Sequence, residues 1–236
     1  MRARPVLWAL VGGLVTIGLL VALGSLPTSS RKSIDHAVVR MRMPLGIKVA
    51  AFLHRDWMYR QIVADVTRGV SSDLDRVEVL FDWTVSRVRT DIPAGWVVED
   101  DHPLHVIIRG YGINWQVADV LATLCTYAGY PATMAKALAS PDQGFVVALV
   151  YLEGDWRLYD PYHRNRFIMD DGLPLGLRQL AQEPAVVERA AHQPVISGLP
   201  YRAYFREVRP VDAGPFLRPH QHMWWPRVWH ELAQMG

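Results

Sequence analysis

The chain has 236 residues, half of them hydrophobic, and a formal net charge of +2. This length allows one sizeable core with appendages, and so small a charge argues against a nucleic-acid-binding protein. The single cysteine, Cys125, excludes an internal disulfide framework and a cysteine-based zinc site.

The N-terminal segment is apolar, and no charged residue lies between Arg4 and Arg31. Its apolar run, residues 6–26, has about the 20 residues that cross a bilayer as a helix. A cleavable signal peptide has a shorter apolar region of about 7–15 residues, although Ala22-Leu23-Gly24 leaves cleavage as an alternative. We therefore predict a transmembrane anchor over residues 1–30. The rest of the chain then lies outside the cytoplasm, which in a bacterium means the periplasm or the cell surface.

Residues 31–70 are predicted to form a linker and a helical extension. The polar stretch 26–33 is typical of a linker, and the apolar spacing over 44–70 is that of a helix. A second helix is predicted from Ser71 or Ser72, as its cap, to about Arg89. Residues 90–109 are predicted to be irregular because Pro93, Gly95 and Pro103 interrupt them.

Histidines occur in two groups that could suggest a metal site. His102 and His105 stand three apart near carboxylates, and the C-terminal segment carries His220, His222 and His230. Neither group has a cysteine partner, and loop histidines are usually solvated. We predict no metal and no cofactor.

A glycine-rich turn, residues 110–112, leads into an apolar helix predicted over 115–127 and ended by Gly129. A helix that is apolar on most sides is buried. Many enzymes place a nucleophilic thiol at such a junction, where the helix N-terminus lowers the pKa of the thiol. This chain has Asn114 there.

The sequence period then changes to two. Strands are predicted over residues 131–138, 144–152 and 156–160, with a tight turn at 153–155. A buried helix followed by an antiparallel meander predicts an α+β fold, with helices packed on a small antiparallel sheet.

Short helices are predicted near residues 175–182 and 184–191, and a Trp- and His-rich tail follows over 197–236. Trp224, Trp225 and Trp229 could contact a protein partner, lie at a membrane surface, or pack back on the domain.

Four motifs follow one another in an informative order. They are Gly112-Ile113-Asn114-x-x-x-Ala118, Gly129-Tyr130-Pro131-Ala132, the apolar strand from Gly144 to Leu152, and Trp156-Arg157-Leu158-Tyr159-Asp160-Pro161. With a preceding helix that carries Phe81-Asp82-Trp83-Thr84-Val85, this order resembles the transglutaminase-like superfamily of papain-related folds. The resemblance covers about residues 72–170 and implies a transglutaminase-like domain over 71–196.

The resemblance implies three vestigial catalytic positions. The nucleophilic cysteine of the family falls on Asn114, its base histidine on Phe145 and its orienting aspartate on Asp160. An amide is not a nucleophile and phenylalanine carries no proton, so thiol acyl transfer is excluded at these positions. Residues expected to line the old cleft, where a peptide or glycan could bind, are Tyr111, Trp115, Gln116 and His163.

Three hypotheses follow. The first is a membrane-anchored, non-catalytic binding or scaffold subunit, which contacts the membrane through residues 6–26 and either binds a peptide or glycan in the old cleft or joins a membrane protein complex. The second is a hydrolase or acyltransferase with a relocated site around Asp160 and a nearby histidine, His163 or His102 with His105. The third is a different register, in which Cys125 is a nucleophile that meets His105.

Overall fold

The computed structural model describes residues 3–34, 37–96, 100–191, 195–196, 198–211 and 219–233. Its helices there are α1 (Ala3–Gly24), α2 (Leu45–Val66), α3 (Asp73–Arg87), α4 (Pro103–Arg109), α5 (Asn114–Tyr127), α6 (Leu177–Gln182), α7 (Val186–Ala190), α8 (Tyr201–Tyr204) and α9 (Trp224–Ala233), with a 3-10 helix at Pro219–His222. Its strands are β1 (Pro27–Ile34), β2 (Ala37–Pro44), β3 (Ala132–Ser140), β4 (Gln143–Leu152), β5 (Asp155–Tyr159), β6 (Val195–Ile196), β7 (Leu199–Pro200) and β8 (Glu207–Pro210).

The N-terminal segment forms the helix α1, in which Trp8 and the apolar side chains of residues 11–23 are exposed. Over the part of the chain that the structure describes, no helix combines the length and hydropathy needed to span a bilayer. The anchor predicted over 1–30 is therefore not confirmed, and residues 1–2 lie outside the described residues.

The stretch predicted as a linker forms an antiparallel hairpin of β1 and β2 instead. The pattern in β2, where Arg40 and Arg42 alternate with Met41 and Met43, has the period of two that a strand needs. Because β1 is polar in composition, the sequence pattern indicated a linker and not a strand of this hairpin. The chain leaves it beside its entry point, because the Leu45 N–H donates to the Leu26 carbonyl at 2.8 Å.

The predicted helices after the hairpin are confirmed with small shifts of their ends. Ser72 caps α3, since its hydroxyl accepts from the Asp75 N–H at 3.2 Å. The irregular structure predicted over 90–109 is wrong for its second half, which forms α4. Pro103 begins that helix rather than breaking it, because proline fits the first helical turn, and the His102 side chain caps it.

The main sheet has four strands in the order β5-β4-β3-β8, with all three pairings antiparallel. The strands β3, β4 and β5 were predicted, whereas β8 comes from the tail and pairs with β3. Alternate residues of β4 face opposite layers. Val146, Ala148 and Val150 pack in the cluster with α2–α5, and Phe145, Val147 and Leu149 pack in the cluster with α6–α8. The predicted α+β architecture is confirmed.

The helix α5 lies at the centre of the first cluster, and residues 116–126 along it are all buried. Its one ionisable carboxyl group belongs to Asp119, which is 5% exposed and accepts a hydrogen bond from the Thr123 hydroxyl at 3.3 Å. Burial raises the pKa of Asp119 to about 7.

We expect Asp119→Asn to stabilise the protein at pH 8. Because the folded-state pKa of Asp119 is raised, its carboxyl group costs stability increasingly as pH rises from about 4 to 7, and an amide avoids this cost. The free energy of unfolding, measured by urea denaturation, should gain about 2 kcal/mol more at pH 8 than at pH 5. Asp65→Asn, which removes an exposed carboxylate, is the control. An Asp119→Asn protein no more stable than wild type at pH 8 would contradict the prediction.

Candidate functional site

Asn114 begins α5 and links this helix to the sheet. Its side-chain carbonyl oxygen accepts from the Val146 N–H at 2.8 Å. The strand β5 pairs with β4 only from Ala148 onwards, so this N–H lies beyond the end of β5. The amide therefore satisfies a strand N–H at the place where the resemblance puts a nucleophile.

Phe145 lies next to Val146 in β4 and is 6% exposed. Its ring packs against an aromatic group on the side of the sheet away from α5. The ring centroids lie 5.1 Å from His163, 5.8 Å from Tyr201, 5.1 Å from Tyr204 and 5.9 Å from Phe205. This position is an apolar packing site in the structure.

Asp160 follows β5 directly, is fully buried and has both carboxylate oxygens occupied. One oxygen accepts from the His163 backbone N–H at 3.1 Å. The other lies 2.7 Å from His163 Nδ1 and accepts from the Tyr201 hydroxyl at 2.9 Å. The carboxylate thus holds an imidazole, but this imidazole belongs to His163, three residues after Asp160, and not to position 145, where the resemblance places the histidine.

The His163–Asp160 pair has the form of a base with its orienting carboxylate. The His163 side chain is 18% exposed, and its ring packs edge-on against Phe145 and Tyr162. Within the described ranges, no hydroxyl or thiol forms a hydrogen bond with the ring. The pair therefore lacks an adjacent nucleophile there.

Gln116, expected in a cleft, is fully buried in a polar network. Its side-chain oxygen accepts from Arg109 at 2.6 Å and from the Ile113 N–H at 3.0 Å, and its amide nitrogen donates to Asp101 at 2.5 Å. The expectation is corrected because these contacts commit the amide to the protein interior. The network fixes the turn that precedes α5.

The remaining cleft candidates are Tyr111, Trp115 and His163. The Tyr111 ring packs at a tilt against Trp96, with 4.9 Å between the ring centroids, and its centroid lies 5.2 Å from the Arg109 guanidinium. Trp115 lines a cavity of about 540 Å³ to which Tyr111, Gln116 and His163 contribute nothing. A cleft shared by these candidates therefore stays a prediction.

Cys125 is fully buried in the core around α5. Burial raises the pKa of its thiol far above the ordinary value. His105 instead pairs with Asp100, its Nδ1 2.6 Å from the carboxylate. The hypothesis of a Cys125–His105 site is wrong, because the thiol is sealed in the core and the imidazole lies at the large cavity.

No group of three or more His, Cys, Asp or Glu side chains suited to a metal ion occurs in the ranges that the structure covers. Both histidine groups instead contribute to the large cavity through His102, His105, His222 and His230. Sequence reasoning treated them separately because more than a hundred positions separate them in the chain.

Sequence reasoning also missed Tyr201 as a partner of Asp160. The signal was weak, since Tyr201 lies in the predicted tail, 41 residues beyond Asp160. The tail in fact packs on the domain through α8, β8 and the 3-10 helix, where the His222 carbonyl accepts from the Tyr127 hydroxyl at 2.8 Å. The tryptophans of α9 remain exposed, at 46% for Trp224, 62% for Trp225 and 69% for Trp229.

The chain was compared with solved structures. A Cytophaga hutchinsonii protein named "putative cysteine protease" is 15% identical, with a TM-score of 0.40 over 50% of this chain and 40% of its own. A Parabacteroides distasonis protein named "putative protease" is 14% identical, with a TM-score of 0.35 over 58% and 36%. A protein named as a TGase is 15% identical, with a TM-score of 0.39 over 61% and 46%. The chain thus spans less than half the length of each.

No curated protein shows significant similarity to the sequence. Residues 60–161 match the sequence profile of the transglutaminase-like superfamily, a range that contains α3, α4, α5 and the strands β3–β5 together with Asn114, Phe145 and Asp160. The family resemblance of the motifs is thereby confirmed, and the chain carries a domain of the transglutaminase-like superfamily.

Proposed function

We propose that this protein is a membrane-anchored, non-catalytic transglutaminase-like module that acts as a binding or scaffold subunit outside the cytoplasm. The observation that carries the proposal is the hydrogen bond from the Val146 N–H to the Asn114 amide, at the position of the family nucleophile. An amide already bound to the backbone offers no nucleophile for acyl transfer. Phe145, packed among aromatic rings, offers no base.

The membrane part of the proposal is supported by apolar surface. Along α1 the apolar side chains are exposed, with Trp8 at 74% and Leu14 at 70%. Helix α2 continues with exposed Val49, Leu53 and Trp57 at spacings of four residues, which place them on one face. Apolar surface of this extent suits contact with lipid or protein.

Partner binding is assigned to α9. Trp224, Trp225 and Trp229 point outward, whereas Arg227 and Glu231 form an ion pair on the inner side, with 2.5 Å between nitrogen and oxygen. Exposed tryptophans are common anchors of protein interfaces and of the interfacial region of membranes. Binding of a peptide or glycan in the old cleft is also part of the proposal, and it rests on the family resemblance alone.

A second candidate function is hydrolysis by the His163–Asp160 pair. The 2.7 Å contact between His163 Nδ1 and the carboxylate favours it, since such a pair can activate a water molecule.

Restoring the family residues should restore a reactive thiol. In Asn114→Cys with Phe145→His, which restores both family residues, we expect the introduced thiol to have a pKa at least about one unit below the roughly 8.5 of free cysteine, owing chiefly to the helix N-terminus. The measurement is the pH dependence of iodoacetamide labelling, followed site by site by mass spectrometry. Asn114→Cys alone is the control for the imidazole.

In the same samples, Cys125 should label slowly until urea unfolds the chain, because it is buried and its thiol pKa is raised. An introduced thiol that titrates like free cysteine in a folded double variant would refute the placement of the nucleophile at Asn114.

The hydrolase alternative is tested with His163→Gln. The proposed function expects wild type and variant to hydrolyse a panel of p-nitrophenyl esters at the uncatalysed rate. A wild-type rate that falls by about 100-fold or more in His163→Gln, the range typical of a lost general base, would favour the alternative. His54→Gln, at an exposed histidine of α2, is the control.

The membrane anchor predicts that the full chain stays in the membrane pellet after alkaline carbonate extraction of its native cells. Added protease should digest the domain from the outer side and spare only a short N-terminal fragment. Release of the intact chain by carbonate would contradict the anchor. Protection of the domain in spheroplasts, where protease reaches the outer side of the inner membrane, would contradict the orientation.

A further inference from the structure

None of Asn114, Phe145 and Asp160 lines the cavity of about 540 Å³. Its walls come from the β1–β2 hairpin, α2, the residues around the start of α4, α5, the 3-10 helix and α9. Much of this wall lies outside residues 60–161, the range of the family match. Its volume is within the range of small-molecule sites, about 300–1,000 Å³.

The cavity gathers cationic side chains from three elements. Lys48 and Arg55 stand two turns apart on one face of α2, and Arg227 faces them from α9. Lys32 and Arg40 add two more from the hairpin. Burial and the nearby Arg227 both lower the pKa of Arg55, so two guanidinium groups repel one another across this space.

Arg55 is half-buried at this cavity, and Asp100 and Tyr59 act on it only through the electrostatic field. Among the residues with described side chains, none forms a hydrogen bond or an ion pair with its guanidinium. A half-buried guanidinium without acceptors carries a desolvation cost that an anion between Arg55 and Arg227 would offset.

His222 provides a second, independent sign of a ligand. Its side chain is 6% exposed and lines the cavity, and its Nε2 atom has no hydrogen-bond partner. The ring is held by His102 and Tyr59, with centroids 4.9 and 6.3 Å away. Burial, together with Arg227 and Arg55, lowers the pKa of His222 to about 3, so the ring is neutral and one nitrogen carries a hydrogen.

The carboxylates of the cavity already have partners in the protein. Asp100 accepts from the His102 N–H at 3.0 Å and lies 2.6 Å from His105 Nδ1. Glu231 lies 2.7 Å from Lys48 and 2.5 Å from Arg227, so one carboxylate is shared by two cations. The lining has five Lys or Arg side chains and four Asp or Glu side chains, so a formal charge of +1 remains, which favours an anionic ligand.

We propose that this cavity binds a phosphate-bearing small molecule, with Arg55 and the Nε2 atom of His222 as its polar contacts and Trp115, Met41 and Met43 against its apolar part. Arginine suits phosphate because its planar donors match the phosphate oxygens. The phosphate is carried either by a lipid headgroup or by a soluble ester. This site is independent of whether the transglutaminase-like domain is catalytic.

The test uses the full chain in a phosphate-free detergent. Isothermal titration calorimetry with inorganic phosphate, glycerol 3-phosphate and dihexanoyl phosphatidic acid should show saturable binding with Kd below about 1 mM for at least one probe. Arg55→Gln should weaken this binding by about tenfold or more. Arg60→Gln is the matched control, because Arg60 lies on the same helix but pairs with Asp56 outside the cavity.

The outcomes distinguish a lipid headgroup from a soluble phosphate ester, and they also test the proposal itself. Tighter binding of the phosphatidic acid than of the soluble probes assigns the site to a lipid, and equal binding of that acid and glycerol 3-phosphate assigns it to a soluble ester. If Arg55→Gln does not fold, Arg55→Lys, which keeps the charge but loses the planar donors, should still bind more weakly. His222→Asn should also weaken binding. The proposal is overturned if wild type binds no probe, or if folded Arg55 variants bind like Arg60→Gln.

Discussion

The burial of α5 on every side is the constraint on which the rest of the structure depends. The sheet lies on one side of this helix and α2–α4 on the other, so each polar group along it must find a partner inside the protein. Asn114 finds a strand N–H, Gln116 finds Arg109 and Asp101, and Asp119 finds Thr123. The helix holds the domain together through these contacts as well as through its apolar packing.

The three positions that the resemblance marks as catalytic all make structural contacts in this protein. The carboxylate of Asp160 remains a hydrogen-bond centre, now shared by His163 and Tyr201. Phe145 fills the position of the family base with an apolar ring, and this ring packs against the same imidazole. Buried carboxylates with satisfied oxygens stabilise a fold whether or not they serve a reaction, which explains why the aspartate position alone tells little about catalysis.

The predictable parts of the fold were those with strong local signals. The apolar period of α5, the alternation along β3 and β4 and the cap at Ser72 each predicted their element. Local patterns failed where long-range contacts decide the structure. The β1–β2 hairpin has one polar strand, α4 begins at a proline that looked like a break, and β8 forms by pairing with β3.

For the candidate site too, local sequence patterns predicted some features, and long-range contacts decided the others. A family pattern located Asn114, Phe145 and Asp160, because fixed spacings mark them. It could not show that Gln116 is buried, nor that His102 and His222 meet with 4.9 Å between their ring centroids. Contacts between residues so far apart in the chain leave no periodic signal in a single sequence.

The hydrogen bond between the Leu45 N–H and the Leu26 carbonyl makes the hairpin a self-contained insertion. The chain departs and returns at one point, so α1 and α2 keep their junction, where Gly24 and Gly46 touch, whatever lies between. The loop-closure entropy of such an insertion changes only slowly with its length. The β1–β2 hairpin, which forms part of the wall of the large cavity, can consequently vary in sequence and size while the rest of the domain keeps its fold.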